Sequence, residues 1–416
     1  EGIREHEGEA REGDEIVENF EAEIDISDDA VLRMVEHKGP VHCIAINSAA
    51  TLALSGDQED MGLLWEVKTG KLVKKLKGHT DTVIAVGWSS DEKEYATASM
   101  DGTIRVYKPS GKVKVLKGPD SEIQWFEYHK KGPVIVAGCA DGTMWMWSTK
   151  TAKVMQVFAG HSDMVSCGGF SHDGKLVVSG SFDEKAIVWS PKTGQPLHKF
   201  QAKNERGFHL APLTCIAVHP NKPIMLTGAE DGTAWVCSLS KTSSKTLKKL
   251  AEHKQSVESA EFSSTLNFVF TASADGTIIV SDYGTGAMRT KVEHQGAITQ
   301  ALWNPAAPVI LATGTDTLLR MWDARNGSCI RELKGHSDTV LALAVSRDGR
   351  LAVTGSDDAT CALFALGANS RKNLNSNQNE KKNSRNKKLK AVSEESKANN
   401  LKVEKNTESS ERTLKK

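Results

Sequence analysis

Apolar and polar positions alternate in short runs along most of the chain, as at Val83–Trp88 and Tyr95–Ser99, with turn residues between the runs. A period of two over so few residues predicts strands rather than helices. One phrase closes many of these runs. It reads DGTIRVY at Asp101–Tyr107, DGTMWMW at Asp141–Trp147, DEKAIVW at Asp183–Trp189 and DGTAWVC at Asp231–Cys237. It continues as DGTIIVS at Asp275–Ser281, DTLLRMW at Asp316–Trp322 and DATCALF at Asp358–Phe364. A first, degenerate copy ends at Trp65, after Glu59 and Asp60. Successive copies end 40 to 48 residues apart. A second phrase precedes several copies: GHTDTV at Gly78, GHSDMV at Gly160 and GHSDTV at Gly335, with weaker EH openings at Glu36, Glu252 and Glu293.

This period, with GH in front and Asp six residues ahead of Trp, resembles the WD40 signature of four strands per blade. Eight copies predict an all-β, eight-bladed WD40 β-propeller over residues 31–368. No outer strand follows Phe364 and Ala365, so the strand at Val31–Val35 is expected to complete the last blade and remove an exposed sheet edge.

The charge balance changes the picture at the two ends. The 416 residues hold 53 Lys+Arg against 53 Asp+Glu. Residues 1–30 hold 13 acids and two bases, while residues 369–416 hold 14 bases and six acids. Both ends are poor in aromatics, so an acidic disordered arm and a basic Asn/Ser/Lys-rich disordered tail are expected to flank the ring. Within the tail, KKNSRNKKLK at 381–390 resembles a nuclear-import cluster, but an Asn/Ser/Lys-rich solvated tail without a specific role is the favoured reading. No run approaches 18 apolar residues, so a membrane-spanning helix is not expected. The acidic opening at Glu1 shows no secretory-signal pattern, and seven scattered cysteines without CxxC fit reduced thiols. A cytoplasmic protein is the expectation, with nuclear entry open.

His161, Ser181, Asp183 and Trp189 invite a catalytic-triad reading. The set recurs, however, as His79, Ser99, Asp101 and Tyr107, and as His336, Ser356, Asp358 and Phe364. A catalytic set occurs once in a cleft; a set that returns with every blade reads as an internal hydrogen-bond network. The third blade lacks the His, with Pro119 near its place. The fifth and sixth end in Cys237 and Ser281, so these blades should be looser. No His/Cys cluster has ligand spacing and no phosphate-cradling glycine loop is present, so neither metal nor cofactor is expected. Trp125, Trp145 and Trp303 read as packed strand residues, with exposure at a partner face as the alternative. The expectation is a binding protein rather than an enzyme.

Function must then lie on the surface. The loops before the inner strands and the turns before the Asp place many acids on one face. Among them, Glu59, Glu122, Glu230 and Asp357 are the informative ones and Asp60 and Glu184 are further candidates, whereas Asp81, Asp163 and Asp338 are local turn residues; Asp120 lies there too. Lys185 and Lys254 dilute the field. Met100, Phe182 and Ala274 precede the Asp, and Met100 and Phe182 are candidate apolar anchors. Turns after the Trp position carry Lys68, Lys108, Lys150, Lys192, Lys241 and Arg325, which predicts a basic opposite face. Such a surface favours a basic protein segment as partner. No direct nucleic-acid contact is expected, and the chain reads as a monomer.

QWFEYH at Gln124–His129 followed by PVIVAGCADGTMWMW at Pro133–Trp147 resembles the third repeat of the angio-associated migratory cell protein family. HQGAITQALW at His294–Trp303 and MWDARNG at Met321–Gly327 are similar to its seventh. The likeness covers about residues 31–368 and rests mainly on the Trp125 and Trp145 region. It implies two functions. Fungal relatives are ribosome-assembly chaperones that hold the basic N-terminal segment of a large-subunit ribosomal protein. Animal members are described in cell migration and signalling, which implies a cytosolic scaffold instead.

Overall fold

The computed structural model describes residues 28–367 except Ala251. Its 32 strands form eight four-stranded antiparallel sheets. Blade 1 comprises Val41–Ile46, Leu52–Asp57, Gly62–Glu66 and Lys71–Leu76. The first strand of each blade packs on the first strand of the next, so these strands line a central axis. The later inner strands begin at Val83, Ile123, Cys167, Leu213, Val257, Ile298 and Val340. The eight blades match the eight copies of the phrase.

Alternation describes the outer strands well and the middle strands poorly. Lys71–Leu76 alternates exposed and half-buried positions, whereas Tyr95–Ser99 is buried throughout. Middle strands have a neighbouring blade on each face, so both sets of side chains must suit an interior. The cores therefore lie between blades. Ala98, Ile104 and Leu116 of blade 2 pack with Ile123, Ile135 and Trp147 of blade 3.

The ring closes as its ends require. Leu32–Met34 pairs antiparallel with the last blade, placing Leu32 opposite Leu363 and Met34 opposite Cys361. Met34 is buried with Val41 and Trp65 of blade 1 and Leu363 of blade 8, so the closing strand also seals the seam between first and last blades. Tethering begins slightly earlier than expected. Asp29 N–H donates to the Lys334 carbonyl at 2.8 Å, and Ala30 packs on the core between blades 7 and 8. Residues 28–30, assigned above to the arm, thus belong to the ring. The rest of the arm and the basic tail lie outside the described residues.

Each inner strand is the edge of its sheet, and side chains from the preceding blade satisfy its free backbone groups. Ser259 Oγ donates to the Ala301 carbonyl at 2.9 Å, and Trp125 Nε1 donates to the Val165 carbonyl at 3.0 Å. Trp303 is buried and gives its indole N–H to Glu261 O at 3.0 Å, while Trp145 stacks on Trp147. The three tryptophans are thus packing residues. Two carboxylates join this stitching: Glu127 Oε2 accepts Phe170 N–H at 2.7 Å, and Glu261 Oε2 accepts Trp303 N–H at 2.8 Å. Desolvation outweighs those bonds and pushes both carboxyls up to about 7.

Two predictions follow from closure and stitching. Deleting residues 31–35 leaves blade 8 with three strands and opens the seam to blade 1. The whole ring should melt about 10 °C or more lower, as a loss of several kcal/mol implies; unchanged calorimetric melting would refute the closure. The raised carboxyls at 127 and 261 favour the neutral form in the fold. Their stability contribution is full below the normal Glu range and is lost as pH rises through 7. The Glu127→Gln, Glu261→Gln double variant should therefore raise Tm at pH 8 and leave it nearly unchanged at pH 5.

Candidate binding face

The repeated histidines are buried inside the blades. In blade 4, His161 Nδ1 bonds Asp183 at 3.0 Å and Nε2 bonds Ser179 Oγ at 2.8 Å. Trp189 Nε1 donates to the same Ser179 oxygen at 2.8 Å. The network hydroxyl is therefore Ser179; Ser181, assigned to it above, instead donates to the Asp163 carbonyl and accepts Asp183 N–H. The same correction applies in blade 2, where Thr97 replaces Ser99, and in blade 8, where Thr354 replaces Ser356. Ser99 and Ser356 brace the turns, through the Asp81 and Asp338 carbonyls. Residues two apart on a strand face the same way, so sequence spacing alone offered both hydroxyls. Only the one deeper in the strand reaches His and Trp together. Tyr107 and Phe364 fill the Trp place in blades 2 and 8 with rings that stay buried.

The first copy is complete rather than degenerate. His37 Nδ1 bonds Asp57 at 2.7 Å and Nε2 bonds Ser55 Oγ at 2.6 Å, and Trp65 Nε1 donates to Ser55 at 2.7 Å. Asp57 stands where other blades carry the turn serine. Glu59, at the usual Asp place, donates its backbone N–H to Asp57 at 3.1 Å and leaves its carboxylate exposed. Blade 5 also holds a histidine that has neither GH nor EH before it: His209 bonds Thr227 and Thr233 at 2.8 and 2.6 Å. Blade 6 keeps His253 on Thr271 at 2.7 Å although Ser281 replaces Trp. Blade 3 lacks the His as expected, and Trp147 Nε1 turns to the Lys117 carbonyl at 3.0 Å. In blade 7, Ala312 leaves no hydroxyl beside His294. A buried arginine enters instead, Arg320 Nη1 lying 3.2 Å from His294 Nε2 and its Nε donating to Glu332 at 2.9 Å.

These networks hold their charges tightly. Burial would raise the Asp183 and Asp358 carboxyls, but the His161 and His336 bonds outweigh it and hold both well below the carboxylate range. Burial also lowers His79, His209 and His253 despite their acidic partners. The rings are desolvated and fully engaged, so they have no cleft in which to meet a substrate. Among the described residues, no group of three His, Cys, Asp or Glu could hold a metal ion.

A backbone bond in each blade ties the turn before the Asp to the residue ahead of the inner strand. Met100 N–H donates to Thr82 O, Ala140 to Glu122, Phe182 to Met164, Glu230 to Pro212, Ala274 to Ser256 and Asp357 to Thr339, all at 2.9–3.0 Å. These bonds gather Met100, Glu122, Phe182, Glu230 and Asp357 at one end of the ring. Glu59, Asp60 and Glu184 occupy the same set of turns. Glu122, Glu184 and Glu230 are exposed; Asp60, Met100, Phe182 and Asp357 are half-buried. Burial raises the Asp357 carboxyl, and neighbouring Asp338 adds to the effect. Between blades 2 and 3, Met100, Pro119 and Ala140 line a cleft of about 400 Å³ with Asp120 and Glu122. Asp60 and Glu184 adopt φ of 60° and 65° where Gly102 and Gly142 stand in other blades.

The opposite face is mixed, which corrects the basic face expected above. Lys108 pairs with Glu94 at 3.0 Å and Arg325 with Asp323 at 2.7 Å. Lys93 and Lys175 pair with Asp91 and Asp173. The turns between first and second strands open on that face as well, and they bring the acids that offset the bases.

With this geometry in hand, comparison with known proteins places the chain. The WD domain, G-beta repeat family matches residues 70–108, 110–148, 152–190, 194–238, 244–282, 287–323 and 327–364. The first three strands of blade 1, with the shifted Asp57, lie before those seven matches. Angio-associated migratory cell protein of Homo sapiens is 31% identical over 355 residues, covering 82% of this chain and 80% of that protein. The chain belongs to the angio-associated migratory cell protein family of WD40 proteins. An uncharacterised WD repeat-containing protein of Schizosaccharomyces pombe is 32% identical over 82% of this chain and 87% of its own length. The crystal structure of Chaetomium thermophilum Sqt1 bound to the N-terminus of the ribosomal protein L10 superposes with a TM-score of 0.75. At 23% identity, over 82% of this chain and 100% of that one, the likeness establishes a common fold.

The network predicts its own sensitivity. His161→Ala strands Ser179 and Asp183 inside blade 4 and should cost on the order of 1–3 kcal/mol in denaturant unfolding. Ser179→Ala should cost about as much, because His161 and Trp189 both lose their shared partner. A cost near zero for Ser179→Ala would return the role to Ser181.

Proposed function

We propose that this chain is a dedicated chaperone of a basic large-subunit ribosomal protein, holding a basic segment on its acidic face before ribosome assembly. The observation that carries the reading is the gathering of Glu59, Glu122, Glu184, Glu230 and Asp357 at one end of the ring, with their carboxylates outside the His networks. The aspartates at the tetrad place accept hydrogen bonds from His, Thr or backbone donors within their blades. The five carboxylates lie outside those networks and add to the outward field. Clustered carboxylates on a rigid ring steer a basic chain and shield it from nucleic acid. A solved propeller of the same fold, Sqt1, is bound to the N-terminus of ribosomal protein L10, which supports a ribosomal partner here. Binding, not catalysis, is the activity, and the working unit is a monomer in the cytoplasm.

A second reading, a cytosolic scaffold in migration or signalling, draws on the name of the human relative. The two readings part on salt and charge. A basic ribosomal-protein segment should bind the full chain with an affinity that falls steeply with ionic strength. Reversing Glu122, Glu230 and Asp357 to Lys together should weaken it on the order of 100-fold, about 1 kcal/mol per charge. Intact binding by the triple variant would end the acidic-face reading. Recovery of signalling or cytoskeletal proteins in place of one ribosomal protein, after affinity purification from nuclease-treated lysate, would favour the scaffold.

A further inference from the structure

Leu210 is the most exposed large apolar residue among those described, at 74%. It lies on the acidic face, in the loop that enters blade 5. The equivalent place follows the tetrad His in each blade, and every other blade fills it with a polar residue, among them Thr80, Ser162, Lys254 and Ser337. Their backbone N–H groups reach the tetrad Asp at 2.7–3.2 Å, and Leu210 N–H approaches Asp231 at 3.5 Å in the same way. Blade 5 therefore presents an aliphatic side chain where the fold elsewhere presents a hydrogen-bonding one.

The local structure holds that side chain in water. On one side Phe208 is buried against Phe200 and Trp235, and His209 is locked to Thr227 and Thr233. On the other, Leu213 is buried and its N–H donates to the Ser181 carbonyl at 3.1 Å. Leu210 sits between two anchors and has no slack to fold inward. The Leu213 bond also fixes this loop against the blade 4 turn that carries Phe182, whose own N–H is tied to Met164. Leu210, Phe182 and Met164 lie on loops that these bonds hold side by side, which makes this quadrant of the face the apolar one, with Glu184 and Glu230 on the adjoining turns. Of the bases nearby, Lys185 is held by Asp183 at 3.0 Å, and Lys203 and Arg206 are exposed earlier in the same loop.

We propose that this quadrant is a docking point for an apolar side chain of the client, with Leu210 as its anchor. The proposal rests on the basic-client reading and deepens it: the client is a basic segment carrying an aliphatic or aromatic residue flanked by Lys or Arg. Charge complementarity selects the flanks, and desolvation of Leu210 and Phe182 selects the apolar residue and sets the register. A purely polar basic segment would satisfy the acids and leave Leu210 in water.

The test measures fluorescence polarisation of two synthetic basic peptides, equal in length and charge, against the full chain. One carries Leu and Phe between its bases and the other carries Ser at those places. The wild-type chain should prefer the apolar peptide about tenfold. Leu210→Ser should lose most of that preference while binding the polar peptide as before, and Leu210→Met should retain it. Because Leu210 makes little internal contact, the Ser variant should melt like the wild type. Equal binding of both peptides by the wild type, or a preference that persists in Leu210→Ser and Phe182→Ser alike, overturns the proposal. Failure of both peptides to bind at low salt would remove the basic-client reading, and the anchor with it.

Discussion

Closure of the ring is the constraint on which everything else depends. A lone four-stranded blade has two apolar faces and two open edges, so it cannot be stable alone. Each blade borrows its cores from both neighbours, and the chain of loans ends only when blade 8 meets blade 1. Beside the contact of Val41–Ile46 with blade 8, that meeting is secured by three residues, Leu32–Met34, drawn from the opposite end of the sequence. Met34 fills the seam with Val41 and Trp65, so the strand contributes hydrogen bonds and core at once. Local contacts within blades thus gain their value from one pairing more than 300 residues apart in sequence.

Within that frame the blades are held by two different polar systems. The His–hydroxyl–Asp networks lie towards the loops that form the acidic face and fix their height. The stitching side chains lie along the axis and fix one blade to the next. Departures from the repeat show what each network supplies. Where blade 3 has Pro119 in place of His, Trp147 takes a backbone carbonyl and the cleft beside Glu122 lies next to the altered loop. Where blade 7 lacks the hydroxyl, Arg320 supplies a donor and carries Glu332 with it. A buried charge is tolerated there because acids surround it.

The same logic sorts the carboxylates of the binding face. Asp183 and Asp358 face His and backbone N–H groups, so their charge is spent inside the blade. Glu230 lies one residue before Asp231, Glu122 lies in the histidine-free loop of blade 3, and both are exposed. A face can therefore be dense in acids while only some of them act on a partner. Apolar residues set among the free acids restrict what that partner can be, since an exposed side chain on a fixed backbone is covered only by a complementary surface.

Much of this was legible in the sequence, because a repeat states its own period. The eight copies, the closing strand at Val31–Val35, the histidine-free third blade and the grouping of Glu122, Glu230 and Asp357 all follow from spacing, which maps directly onto strand and turn. Spacing could not separate Ser179 from Ser181, since both project from the same side of one strand. Nor could it recognise the network of blade 1, where Asp57 performs from two residues earlier, or His209, which lacks the usual flanking residues. The mixed lower face escaped for a similar reason: its acids and bases come from turns that are distant in sequence. The sequence by itself determined the architecture, because alternation and period act locally along the chain. Only the tertiary structure decided which hydroxyl, which carboxylate and which exposed leucine matter, because those roles depend on distances between neighbouring strands and blades.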